Sequence, residues 1–138
     1  MASISLCMIV RNEEKVLGRC LFCVRKFVDE IIIVDTGSSD QTKEIAHSFT
    51  DKVYDFTWID DFAAARNFAF SKGTGDYLFW LDADDVITGK EREKLMELKR
   101  RLDRERPDVV MMKYAVGYDG DGKPSFFFYR ERLLRRGG

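Results

Sequence analysis

The sequence predicts an α/β fold: an open, mainly parallel sheet flanked by helices, with a β-hairpin near the C-terminus. Three observations predict it. Strand-length apolar runs alternate with amphipathic stretches at helical spacing from residue 4 to residue 81. Two of those runs, Glu30 to Val34 and Tyr77 to Leu81, are almost wholly apolar, as strands covered on both faces of a parallel sheet are. Later, two strand-like runs flank the turn cluster Asp119-Gly120-Asp121-Gly122, the signature of a hairpin.

Each element has its own justification. Ile4 to Val10 is the first strand, and after the polar stop Arg11-Asn12-Glu13 a helix begins with Leu17, Leu21, Val24 and Val28 spaced for one face. Glu30 to Val34, nearly pure Ile and Val, suits a central strand. Asp35 to Ser39 is a turn. Ser38 with Gln41 has the spacing of a capping box, opening a helix that carries Ile45, Ala46 and Phe49. A short strand lies around Lys52 to Phe56. Asp60 or Asp61 caps the next helix, with Phe62, Ala65 and Ala69 inward and Gly73 or Gly75 closing it. Tyr77 to Leu81 follows as a buried strand. Lys90 to Arg106 mixes both charges around Leu95, Leu98 and Leu102, the pattern of a solvated amphipathic helix, and Pro107 ends it. Asp108 to Tyr118 and Ser125 to Leu134 are the hairpin strands.

Composition narrows the function. A length of 138 residues, 45% hydrophobic, is that of one globular domain. With 23 basic against 24 acidic residues there is no general attraction to nucleic acid or anionic membrane. No apolar run approaches the roughly 20 residues that span a bilayer, and the start lacks a basic leader, so a cytoplasmic location is expected. Three cysteines make no disulfide framework. Cys20 and Cys23 form a C-x-x-C without a second pair or a nearby histidine, and they lie within the amphipathic pattern, so they read as packing residues rather than a zinc site. The single histidine, His47, and the lack of a serine elbow leave a hydrolytic triad unsupported.

The chemistry gathers where strands end. In GDYLFWLDADD, residues 75 to 85, the most hydrophobic stretch runs into Asp82, Asp84 and Asp85. Right-handed crossovers put every strand-to-helix turn at one edge of the sheet, so Arg11-Asn12-Glu13, Asp35 to Asp40 and Asp82 to Asp85 share it. Carboxylates this close raise one another's proton affinity unless a positive charge sits among them, and a divalent cation meets that need.

Four blocks, SLCMIVRNEEKVLGRCL, DEIIIVDTGSSDQTKEIA, AAARNFAF and GDYLFWLDADD, together resemble the nucleotide-sugar-binding part of family 2 glycosyltransferases with the GT-A fold. The resemblance covers about residues 3 to 90, in order. It implies a single GT-A domain over 1–138, with an acceptor-side half expected beyond it, and an inverting transferase that binds a nucleoside diphosphate sugar donor through Mn2+ or Mg2+. It implies that Arg11, Asn12 and Glu13 border the nucleoside and that Asp35 reads the base edge, with Thr36 where the family often has a second acid. It also places Arg66 near the diphosphate, with Asn67 beside it. Asp82-Ala83-Asp84 matches the D-x-D motif, Asp82 facing the ribose and Asp84 holding the metal. The general base of such enzymes comes from a later segment, and no residue here takes that role; the acceptor is undefined.

Three rivals stand beside this. Asp82 and Asp84 also fit the D-x-D-x-V of haloacid dehalogenase-like phosphatases, with Asp82 as nucleophile, but that pattern usually opens its domain. A calcium loop from Asp82 would put Ile87 where glycine is required. A module that binds a nucleotide sugar without catalysis is the third.

Overall fold

A computed structural model describes residues 2–85, 87, 89–118 and 124–136. The alternating pattern becomes, in chain order, β1 (Ile4–Val10), α1 (Leu17–Val24), β2 (Glu30–Asp35), α2 (Thr42–His47), β3 (Val53–Asp55), α3 (Phe62–Lys72), β4 (Tyr77–Phe79), α4 (Gly89–Glu105), β5 (Val109–Tyr118) and β6 (Pro124–Arg135). The strands form one sheet in the order β3-β2-β1-β4-β6-β5. β1 lies parallel to both β2 and β4, β3 is parallel to β2, and β6 runs antiparallel to β4 and β5. The chain winds outward from β1 through β2 to β3, then returns to the other side of β1 with β4. That reversal opens a crevice at the carboxyl ends of β1 and β4, where open α/β sheets bind ligands.

Side chains on successive strand residues point to opposite faces, and the core divides accordingly. Leu6, Met8, Ile33, Tyr77 and Phe79 cluster with Leu17 and Leu21 of α1, Ala46 of α2 and Leu102 of α4. Cys7, Ile32, Val34 and Leu78 cluster with Ala69 and Phe68 of α3. Helices therefore cover both faces, which is why β2 and β4 carry no polar alternation.

Several expectations need correction. The capping box does not form: α2 starts at Thr42, its cap residue Gln41 makes no side-chain cap bond, and Ser38 Oγ instead accepts the Asn12 N–H at 2.9 Å. The competing partner lies across the sheet edge, where a loop from another strand offers an unsatisfied donor. Asp61 does cap α3, accepting the Ala64 N–H, and Gly73 closes it, but Phe62 is 48% exposed and packs on the Arg66 guanidinium, leaving Ala65 and Ala69 to face the sheet. The ladder of β4 stops at Phe79, although burial continues to Leu81. The hairpin is built into the sheet, because β6 pairs with β4 from Tyr77↔Arg135 to Phe79↔Leu133. The expected turn cluster Asp119 to Gly122 lies outside the described residues.

Candidate functional site

The loops after β1 and β2 are tied together at the carboxyl edge. Asn12 adopts a positive φ of 52°, which asparagine tolerates better than most residues, and its Oδ1 accepts the Ser39 N–H at 2.8 Å. The Glu13 N–H donates to Thr42 Oγ1 at 2.8 Å and the Glu14 N–H to Asp40 Oδ2 at 3.3 Å. Gly37, at φ 114°, lets the chain reverse so that the Gly37 and Ser38 N–H groups both donate to Asp35 Oδ1 at 2.8 Å. Asp35 is 1% exposed, and its second oxygen, Oδ2, is buried with no hydrogen-bond partner among the described residues. Leaving a buried carboxylate oxygen unsatisfied costs free energy, so such an atom at a ligand-binding edge asks for a donor from outside.

Across the crevice, β4 delivers the acidic loop. The Asp82 N–H donates to Asp85 Oδ2 at 2.8 Å and the Asp85 N–H to the Asp82 carbonyl at 3.0 Å, closing a tight turn. Within it Asp82 and Asp85 are half-buried and Asp84 is exposed. Oxygens of the three carboxylates lie within 4.8 Å of one another. Burial and the neighbouring Asp85 charge raise the proton affinity of Asp82, against the opposing pull of Arg132 and Arg66. Glu13, in the loop after β1, is raised too, first by burial and then by the charges of Asp84, Asp82 and Asp40, but it stands outside the group of three. This all-oxygen, electron-rich donor set fits Mg2+ or Mn2+ rather than zinc.

Two arginines temper the negative charge. The Arg66 guanidinium lies 4.1 Å from the Trp80 ring centroid, and that of Arg132 lies 4.0 Å from it. Arg132, on β6, also pairs with Asp85 at 3.1 Å.

Of the sequence-derived candidates, Glu13, Arg66, Asp82 and Asp84 come together. Asp35 stands at the end of β2, its carboxylate turned into its own loop by one oxygen. Asn12 spends its backbone and side chain joining two loops, and Arg11 is exposed. In the sequence Asp85 belongs to the carboxylate cluster without a task of its own, and Arg132 carries no signal of a site role. In YRERLLR nothing separates Arg132 from Arg130 until the β4–β6 register is known.

Comparison with known proteins bears on the family and the fold. The family model described as glycosyl transferase family 2 matches residues 5–135. A TPR repeat-containing protein of Synechococcus elongatus is 47% identical over 104 residues, covering 75% of this chain and 25% of that protein. The SPbeta prophage-derived glycosyltransferase SunS of Bacillus subtilis is 31% identical over 115 residues, covering 82% and 27%. Among solved structures, S. aureus TarS 1-349 in complex with UDP superposes with a TM-score of 0.70 at 26% identity, over 89% of this chain and 38% of that one. The chain thus spans well under half the length of these relatives. The fold is that of the GT-A glycosyltransferases. Among the described residues no helix is long and apolar enough to cross a membrane.

Proposed function

The chain belongs to glycosyl transferase family 2, and from that premise we propose that it forms the donor-binding part of an inverting transferase, which takes a nucleoside diphosphate sugar with a divalent cation and passes the sugar to an acceptor. The observation that carries the reading is the acidic cluster at the end of a buried strand, beside the point where the sheet reverses its winding. The family assignment displaces the phosphatase alternative for Asp82.

Each residue then has a task. Asp84, exposed at the tip of the loop, holds Mn2+ or Mg2+, which when bound offsets the charge that develops on the diphosphate as the glycosidic bond breaks. Asp82 faces the ribose. The free oxygen of Asp35 accepts a base N–H, and Arg11, Asn12 and Glu13 border the nucleoside. Arg66 presents a planar fork of donors to phosphate oxygens. Support for a UDP-type donor comes from TarS, which was crystallised with UDP. Activation of the acceptor hydroxyl falls to a part of the transferase outside this chain, consistent with the fraction of its relatives that the chain spans. Three free thiols favour action in the cytosol.

The test is a competition panel. UDP, GDP, CDP and inorganic phosphate are titrated against the chain with Mn2+ present, and one nucleoside diphosphate should bind clearly above the others and above phosphate. Equal, weak binding of all four would sink the donor reading.

A further inference from the structure

We infer that Arg132 is a positioning residue for the acidic loop: by holding Asp85 it leaves Asp84 open to the cation and Asp82 to the nucleotide. The inference rests on the metal-dependent reading above. Because Phe79 pairs with Leu133, Arg132 stands beside Trp80, whose backbone N–H donates to the Arg132 carbonyl at 3.1 Å. From there its side chain turns to the loop. Nη1 donates to the Trp80 carbonyl at 3.2 Å and to Asp85 Oδ2 at 3.1 Å, and the guanidinium plane rests over the indole. Arg132 is only 5% exposed.

The same Asp85 oxygen that meets Arg132 also accepts the Asp82 N–H, so one atom carries both the ion pair and the turn. A buried guanidinium is costly unless its charge is met, and one charge that meets it here is that of Asp85 in the acidic loop. The pairing removes Asp85 from the competition for a cation. It also shapes the turn that sets where Asp82 and Asp84 stand. Lysine would keep the charge but not the planar fork or the stacking, so it cannot make these contacts together. Arg66 leans on the same indole from α3, which gives the two halves of the crevice a shared support.

The experiment measures Mn2+ binding by electron paramagnetic resonance in the presence of UDP, with thermal unfolding alongside, for the wild-type chain and for Arg132→Lys, Arg132→Met, Asp85→Asn and the Arg132→Met/Asp85→Asn double variant. Arg132→Lys and Asp85→Asn should each weaken Mn2+ binding about 10–100-fold, the usual loss when a group that orients a metal-binding carboxylate is removed. The double variant should lose little more than either single change. If Arg132→Met does not fold, Arg132→Lys and Asp85→Asn still decide the matter. A wild-type chain that binds no Mn2+ with UDP overturns the donor reading, and this inference with it. A wild-type chain that binds while both conservative variants bind as tightly, only melting earlier, makes Arg132 a structural residue and overturns the inference alone. Tighter binding by Arg132→Lys would mean that Asp85 is itself a ligand, which also overturns it.

Discussion

The two edges of the parallel sheet both carry carboxylates and, apart from Asp40, which bonds from Thr42 and the Glu14 N–H hold below its ordinary range, they treat them in opposite ways. At the amino edge Glu30 accepts from Ser5 Oγ at 2.6 Å, from Thr74 N at 2.9 Å and from Lys52. Burial opposes its charge, but these bonds more than offset it and hold its carboxyl down at about 2. Asp76 is lowered by the Ser3 backbone N–H, and Asp29 accepts from the Ile4 N–H and from the buried Lys99. At the carboxyl edge Asp82 and Glu13 are pushed the other way, and Asp35 keeps a buried oxygen unpartnered. One edge is finished by the chain itself. The other is left short of donors and positive charge, and that shortage is what a cation and a nucleotide would fill.

The contrast breaks if substitutions at the two edges have the same consequence. The largest effect is expected at Asp84. Asp84→Asn should weaken metal-dependent UDP binding by about 100-fold or more, at least the upper end of the losses seen when a group that only orients a metal ligand is removed, while the melting temperature stays level or rises as repulsion in the loop falls. A calorimetric titration beside a thermal melt reads both. A fall in stability with unchanged affinity would place Asp84 among the structural acids.

Glu30→Gln should do the reverse. Loss of its charged hydrogen bonds should cost about 1–3 kcal/mol at pH 7 and leave nucleotide affinity alone. Because the folded-state value lies below the ordinary 4.5, the stabilisation is complete above that value and is lost as pH falls towards 2. The gap between wild type and Glu30→Gln in urea unfolding should therefore close between about pH 4.5 and pH 2, the range spanned by the two values. A gap that widens in acid would contradict the sign.

The smallest change sharpens the comparison. Asp35→Asn keeps an acceptor for the Gly37 and Ser38 N–H groups but can turn the unpartnered oxygen into a donor. Discrimination among UDP, GDP and CDP should fall by about tenfold, the value of one lost charged hydrogen bond, with the fold retained. Uniform weakening for every nucleotide would make Asp35 a loop brace only.

Much of this edge was legible from residue order. The unbroken Ile/Val run ending on Asp35 and the aromatic run ending on Asp82 gave two strands and their carboxyl ends, because a strand covered on both faces has a distinctive composition. What escaped depended on pairing between distant segments. Ser38 was matched to Gln41 by spacing, yet its hydroxyl meets Asn12 on another loop. Phe62 looked inward by helical phase, yet alanines approach the sheet more closely, and it lies over Arg66. Arg132 acquires its role only through the register that sets Leu133 against Phe79. Local periodicity reports which face is apolar; it does not report which polar groups will meet across a sheet.

On the proposed reading, the carboxyl edge stays short of positive charge even with Arg66 and Arg132 beside it, and a divalent cation makes up the shortage together with the nucleotide. The most direct measurement is isothermal titration of UDP into the chain, first with Mn2+ and then with excess EDTA. Binding should be saturable with Mn2+ and should nearly disappear in EDTA. Binding of equal strength in both would contradict that reading.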